Sequence, residues 1–171
     1  MTRLNASKMT YKEALEIIKK LPMHEYLLSV GSVASEQPFP QDLDFLTTVD
    51  LNKFYKLFLE KYPKTWHKLN LGEQRFDYYP IIDGKRIVIN IWKTDLKHAP
   101  FFYFQYGYPR GFVIAMRKKA KEMGYKLNQY GIYKNDVKQK VNTINEIFKF
   151  FKIKYRTPKE QYLKHLKKIQ K

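Results

Sequence analysis

The sequence contains no cysteine in 171 residues, and its apolar segments are short. The first absence excludes disulfides and thiolate metal sites, and it fits a reducing compartment. No apolar run approaches the roughly 20 residues needed to cross a bilayer, and the opening residues "MTRLNASKMT" lack the apolar centre of a signal peptide. We therefore expect a cytoplasmic protein without a membrane partner, with a nuclear location as the alternative to the cytoplasm.

Acidic residues are scarce relative to basic ones. The chain has 16 Asp and Glu against 33 Lys and Arg, a formal net charge of +17. Such a positive field favours polyanions, which include DNA, RNA and anionic membrane surfaces. Because 14 Tyr and 12 Phe accompany the charge, and bases stack on aromatic rings, nucleic acid is favoured over the alternative that the lysines only reflect an AT-rich genome.

Apolar periodicity predicts a mixture of helices and strands, and hence an α+β fold. Thr10 and Glu13 have capping-box spacing at the start of the first helix, and Asp83-Gly84 is typical of a hairpin turn. The predicted helices cover 10–21, 51–62, 110–124 and 142–153; the predicted strands cover 25–31, 42–49 and a hairpin over 75–92, with a short strand and a turn at 125–135. Residues 99–111 are predicted as an aromatic connector with Pro109 at the first helical position, and 155–171 as a basic tail.

Asp42 and Asp44 are separated by one residue on a predicted strand, so both side chains project from the same face, with Cβ atoms roughly 6–7 Å apart. Two neighbouring carboxylates repel each other, and Mg²⁺ relieves that repulsion because it takes carboxylate and phosphate oxygens. Gly31-Ser32, ten residues earlier, offers backbone and hydroxyl groups to a phosphate. The combination favours a nucleotidyl-transfer site over two solvated aspartates.

These motifs resemble a known family. "GSVAS" and "QDLDF" resemble the Gly-Ser and D-x-D signature of the nucleotidyltransferase superfamily headed by DNA polymerase beta. "YGYPRGFVIAMRKKAKEMGYKLNQYGIYKN" and "NEIFKFFKIKYRTPKE" are similar to the carboxyl-terminal part of family X DNA polymerases. The resemblance implies a nucleotidyltransferase palm over 1–100, with a mixed sheet flanked by helices, and a small basic α+β subdomain over 101–171 that binds DNA and the nascent base pair. The layout resembles the minimal viral type of this family, which has no lyase domain.

The family's activity is template-directed DNA synthesis, here implied to serve gap-filling repair. The resemblance implies two Mg²⁺ ions, with Mn²⁺ possible, a deoxynucleoside triphosphate substrate, gapped or nicked DNA, and a monomer. Asp42 and Asp44 match the family's two bridging metal ligands. The third carboxylate, which also has a catalytic role, falls at Asn90 in "RIVINIW".

Asparagine at position 90 predicts impaired catalysis. An amide offers an oxygen but no charge, and it cannot accept the proton of the primer hydroxyl, so we expect a loss of roughly 100-fold or more. Both an introduced Asp→Asn change and a natural loss would explain Asn90; the intact remainder of the site favours the first. Asp83 and Asp95 are candidate substitutes, although Asp83 is typical of a turn and Asp95 follows the strand.

Nucleotide and DNA contacts also follow from the resemblance. Gly31, Ser32, Ser35 and Tyr106 match positions near the incoming nucleotide, but the family's arginine after Gly-Ser is absent and its aromatic-Thr-Gly motif is Tyr106-Gly107-Tyr108. Arg117 matches the arginine that reaches the template strand. Lys118 and Lys121 are predicted to contact DNA, with ordinary solvated charges as the alternative.

Two other functions stay open on the sequence alone. One is a template-independent nucleotidyltransferase, and the other is a non-catalytic protein that binds DNA gaps or ends. Primer extension with and without a template separates the first from a template-directed polymerase, and activity of an Asn90→Asp variant excludes the second.

Overall fold

The computed structural model describes residues 5–170, which form two compact units, one ending at Thr94 and the other beginning at Asp95. The predicted boundary after residue 100 falls inside the first helix of the second unit. No helix among the described residues is long and apolar enough to span a bilayer.

The first unit is built around a five-stranded mixed sheet in the order β1 (Leu28–Val30), β2 (Leu43–Thr47), β7 (Ile89–Lys93), β4 (Arg75–Tyr78) and β3 (Asn70–Leu71). Strands β2 and β7 run parallel, and the other neighbours run antiparallel. This confirms the α+β fold with a mixed sheet flanked by helices. Its elements are α1 (Tyr11–Lys20), a 3₁₀ turn (His24–Tyr26), β1 (Leu28–Val30), α2 (Gly31–Ala34), β2 (Leu43–Thr47), α3 (Leu51–Lys61), β3 (Asn70–Leu71), β4 (Arg75–Tyr78), β5 (Ile81–Ile82), β6 (Lys85–Arg86) and β7 (Ile89–Lys93).

One face of this sheet carries the core of the first unit. Leu43 and Phe45 on β2 are fully buried, as are Ile89 and Ile91 on β7, and the aromatic rings of α3 pack among these strands. Because successive strand residues point to opposite faces, burying Leu43 and Phe45 places Asp44 on the other face. The alternation of side chains along β2 therefore places the core residues on one face of the sheet and Asp44 on the other.

The register of the hairpin is set by its turn. Asp83 and Gly84 both have positive φ, 51° and 75°, as a two-residue type I′ turn requires. Ile82 pairs with Lys85 across the turn, and counting back along both arms gives the observed pairing of β4 with β7. The hairpin was predicted from this dipeptide.

The second unit packs helices and a small three-stranded sheet around an aromatic core. Its elements are α4 (Ala99–Gly107), α5 (Arg110–Glu122), β8 (Lys126–Asn128), β9 (Gly131–Lys134), β10 (Val137–Lys138), α6 (Ile144–Phe150) and α7 (Pro158–Ile169). Phe104, Tyr108 and Phe148 are almost fully buried at its centre, and the ring centroids of Phe104 and Phe148 lie 5.9 Å apart.

Several predictions about these elements were wrong. The aromatic connector is helix α4, and the basic tail contains helix α7, which begins with a Thr157–Glu160 capping box. Pro109 is the residue before α5 rather than its first residue. The strand predicted from residue 25 starts at Leu28, because residues 24–26 form the 3₁₀ turn.

Candidate functional site

The two aspartates predicted as metal ligands lie at the start of β2. Asp44 pairs in register with Asn90 of the parallel strand β7, and the Asn90 side-chain N–H donates to Asp44 Oδ1 at 2.8 Å. Asp42 immediately precedes the strand, and Leu43 between the two aspartates is directed into the core. The structure therefore brings Asp42, Asp44 and Asn90 together on one sheet face; their catalytic and metal-binding roles stay predictions.

The backbone at Gly31 lies against the Asp44 carboxylate, with no room for a side chain between them. Gly31 begins the short helix α2 with φ +63°, and a Cβ atom at this position would lie 2.5 Å from Asp44 Oδ2. Val30 pairs with Asp44 across the sheet, so this turn has to pass directly beside the carboxylate. A side chain at position 31 would displace Asp44 or the turn, and glycine avoids both outcomes.

Ser32 lies beside the acidic pair, whereas Ser35 does not present its hydroxyl to solvent. The Ser32 hydroxyl donates to the Asp42 carbonyl at 3.4 Å. An open cleft of about 260 Å³ is lined by Ser32, Gln37, Phe39, Gln41, Asp42 and Asp44. Ser35 is 1 % exposed, and its Oγ has no hydrogen-bond partner in the part of the chain that is described. Ser32 is thus the better placed of the two for a phosphate.

The electrostatics of the face disfavour a second negative charge. Burial raises the pKa of Asp44 from 3.8 to about 7; the Asn90 hydrogen bond lowers it, and the negative charge of Asp42 raises it further. Burial likewise raises the pKa of Asp42, opposed by the Arg75 guanidinium. A cation with oxygen ligands would offset both the burial and the mutual repulsion.

Neither predicted substitute for the third carboxylate belongs to this face. Asp83 is exposed in the hairpin turn and forms a 2.8 Å ion pair with Lys20. Asp95 is exposed beyond the end of β7 and contacts the His98 imidazole at 2.8 Å. Within residues 5–170, no three side chains from His, Cys, Asp and Glu are gathered as a ready-made metal site.

Asp77 is the residue that sequence reasoning missed. It lies on β4 directly opposite Asn90 and is only 7 % exposed. The Nε of Arg75 donates to Asp77 Oδ1 at 2.7 Å, and the Arg75 guanidinium lies 4.9 Å from the centre of the Trp92 ring. The turn at 83–84 already contained the signal, because it fixes residue 77 opposite residue 90.

The residues predicted to contact DNA lie on α5 of the second unit. Arg117, Lys118 and Lys121 are exposed, and the Arg117 guanidinium donates to the Gln105 side chain of α4. By contrast, Lys119 is tied to the Phe151 carbonyl at 3.0 Å. Tyr106, predicted near the nucleotide, is partly buried beside Phe102, with ring centroids 5.9 Å apart. The contacts of these four residues with DNA and with the nucleotide stay predictions.

The second unit also matches a known domain. The family described as DNA polymerase beta thumb matches residues 109–161. The chain is 26 % identical over 160 residues to "Repair DNA polymerase X" of one African swine fever virus isolate, and 27 % identical over 169 residues to that of another. Each alignment covers 91 % of this chain and 91 % of the viral protein.

Solved structures show the same fold. Polymerase beta of Leishmania infantum, in a ternary primer–template complex, matches with a TM-score of 0.70 at 18 % identity, covering 91 % of this chain and 77 % of that one. Its ternary gap complex matches with a TM-score of 0.69, also at 18 % identity, covering 91 % and 71 % of the two chains. The thumb match, the similarity to the viral repair polymerases and this fold all agree with the resemblance of the sequence to family X DNA polymerases.

Proposed function

We propose that the protein is a template-directed DNA polymerase that fills short gaps during DNA repair. One observation carries the proposal: Asp42 and Asp44 lie at the start of β2 next to the Gly31 turn, in a chain that aligns with viral repair DNA polymerases over 91 % of both lengths. The gap complex of the Leishmania infantum protein supports gapped DNA as the partner.

The donor set suits divalent cations. Asp42 and Asp44 would hold them, with the Asn90 amide oxygen as a neutral ligand. The raised pKa values of both carboxyls support a face that gains from added positive charge. When bound, two Mg²⁺ or Mn²⁺ ions would lower the pKa of the primer hydroxyl and neutralise charge on the triphosphate and the leaving pyrophosphate.

The surrounding residues hold the acids and the substrate. Gly31 gives Asp44 room, and the Asn90 amide orients Asp44 through its 2.8 Å hydrogen bond. Ser32 offers its hydroxyl to a triphosphate oxygen. Because the Asn90 amide cannot act as a proton acceptor, the primer hydroxyl has a weaker route for its proton than a carboxylate at that position would give.

The second unit supplies contacts that do not depend on DNA sequence. Arg117, Lys118 and Lys121 are exposed on α5, and such side chains bind phosphate oxygens of the backbone. With a net charge of +17, the protein should bind gapped DNA with strong salt dependence.

Extension of a primer across a one-nucleotide gap, with Mg²⁺ and all four deoxynucleotides, tests the proposal. We expect slow templated incorporation by the chain as it stands and an increase of roughly 100-fold in the Asn90→Asp variant, the scale on which a general base acts. Asn142→Asp, the same change at an exposed position of the second unit, is the matched control and should leave the rate unchanged.

The alternatives predict different results. Equal incorporation with and without a template would indicate a template-independent transferase. Tight binding of gapped DNA, with no incorporation by the Asn90→Asp variant in Mg²⁺ or Mn²⁺, would indicate a non-catalytic gap-binding protein and would contradict the proposal.

A further inference from the structure

Three neighbouring strands carry a polar side chain at the same level of the sheet. Asp44 of β2 pairs with Asn90 of β7, and Asn90 pairs with Asp77 of β4. Directly paired residues point to the same face, and adjacent strands are about 4.8 Å apart. Asp77 therefore occupies the face of the aspartate pair, one strand beyond the position where the carboxylate is missing.

Packing does not account for Asp77. Its neighbours Phe76 and Tyr78 are fully buried and supply the core side of β4 and the contacts to α3. Aspartate is disfavoured in strands, and β4 is flanked on both sides by β7 and β3. A buried carboxylate at this point costs solvation free energy, so it requires a charged partner or a role in binding.

In the described residues, Arg75 is the charged partner of Asp77. The pair uses Nε and Oδ1, and Asp77 Oδ2 accepts no hydrogen bond from residues 5–170. The Arg75 side chain is half exposed, whereas that of Asp77 is 10 % exposed, so solvent screens this pair from the arginine side alone. Arg75 is also the cation whose positive charge counteracts the raised pKa values of Asp42 and Asp44, while the negative charge of Asp77 adds to them.

We propose that Asp77 supplies the third carboxylate of the cation site, taking the place that Asn90 leaves vacant, and that Arg75 is its counterion when no divalent cation is bound. This inference rests on the proposed function. The acidic charge of the site has moved one strand along the same row. Arg75 holds Asp77 in the arrangement described here, in which the three acids are not gathered as a metal site, and a cation with phosphate ligands would take the place of the arginine.

Cation affinity in two backgrounds tests the inference. Mn²⁺ binding to the full chain is measured by electron paramagnetic resonance, with gapped DNA carrying a dideoxy-terminated primer and the matching deoxynucleotide. Asp77→Asn should weaken Mn²⁺ binding by about 10- to 100-fold, the range for a lost partner of a metal site. In the Asn90→Asp background, where the third carboxylate is restored, the same substitution should change the affinity by no more than about twofold.

Matched measurements separate a binding role from a structural one. Glu73→Gln removes the same charge from an exposed residue just before β4 and should leave Mn²⁺ affinity unchanged. Thermal melting in EDTA reports the folding of each variant. An equal loss of affinity on Asp77→Asn in both backgrounds would overturn the inference, because a purely structural residue gains nothing from Asn90→Asp.

The inference and the proposed function fail in distinguishable ways. If Asn90→Asp extends primers while Asp77→Asn has the same effect in both backgrounds, the polymerase stands and the role of Asp77 is wrong. If no variant extends primers but Asp77→Asn weakens Mn²⁺ binding in the Asn90 background alone, the cation site stands and the polymerase is wrong.

Discussion

The two units of this chain carry the side chains proposed to be functional on opposite kinds of surface. In the first, the acids lie on strands, are largely withdrawn from water, and depend on register: Asp44, Asn90 and Asp77 form one row. In the second, the bases lie on the exposed side of α5, where the backbone imposes little on them. The acidic face should therefore respond sharply to single changes, and the basic helix weakly and additively.

The largest effect is expected at Asp44. In the Asn90→Asp background, Asp44→Asn should lower the single-turnover rate of incorporation by about 1,000-fold or more, because cation binding supplies several kcal/mol of transition-state stabilisation and about 1.4 kcal/mol corresponds to a factor of ten. Rapid-quench primer extension measures this rate. A loss of less than tenfold would show that the acidic row does not hold the cations.

Substitution of Gly31 tests how much stability depends on the close approach of this turn to Asp44. Gly31→Ala combines positive-φ strain with a Cβ atom 2.5 Å from Asp44 Oδ2, whereas Gly84→Ala introduces the strain alone, with no atom within 4 Å. We expect Gly84→Ala to lower the free energy of unfolding by about 1–2 kcal/mol, and Gly31→Ala by at least about 1 kcal/mol more. Urea denaturation gives both values; equal losses would mean that the Gly31 contact has no cost.

The raised pKa of Asp44 predicts how stability depends on pH in EDTA. Between pH 4 and 7 the folded protein retains a proton that the unfolded chain releases, because the pKa is about 7 in the fold and 3.8 in the reference state. The free energy of unfolding should therefore fall as pH rises through this window.

Asp44→Asn removes that dependence. At pH 8 the variant should be more stable than the parent by up to about 4 kcal/mol, given about 1.4 kcal/mol per pKa unit, and the two proteins should be similar at pH 4. Denaturation curves at both values check the sign. If the parent protein instead gained stability toward pH 8 in EDTA, relative to the variant, the raised pKa of Asp44 would be contradicted.

The smallest effect is expected on α5. Arg117→Ala should weaken binding to gapped DNA equally for all sequences and reduce the slope of log affinity against log salt by about one. Lys149→Ala, at an exposed position on α6, removes the same charge from the same unit. Fluorescence anisotropy across a salt series compares them; identical slopes would mean that net charge, rather than a local contact of α5, governs binding.

Sequence reasoning was most successful where local chemistry decides the structure. Three local features were predicted in this way: the Thr10 capping box, the turn at Asp83-Gly84 and the alternation of buried and less buried side chains on β2. Each depends on residues that are close in sequence. They predicted the strand that carries the aspartate pair and the hairpin that carries Asn90. The family resemblance, together with these elements, gave the fold.

The misses have physical causes as well. Helix α4, "APFFYFQYG", is apolar on nearly every side, so it has no polar face from which a period of 3.6 residues could be recognised. Helix α7 was obscured by its lysines, although Thr157 and Glu160 have the same capping-box spacing that identified α1.

Asp77 was missed for a different reason. The predicted substitutes, Asp83 and Asp95, are close to Asn90 along the chain, whereas proximity in a sheet is set by pairing between strands. The register needed to find Asp77 was available from the turn, but it becomes evident only when both arms of the hairpin are counted together.

The stacking of Arg75 on Trp92 gives the acidic face an optical signal. The chain has two tryptophans, and the other, Trp66, donates its indole N–H to the Ile87 carbonyl at 2.9 Å. A Trp66→Phe variant would retain a single emitting indole 4.9 Å from the guanidinium. Exchange of that guanidinium for a metal ion could then be followed by fluorescence in real time, without a label and without a turnover.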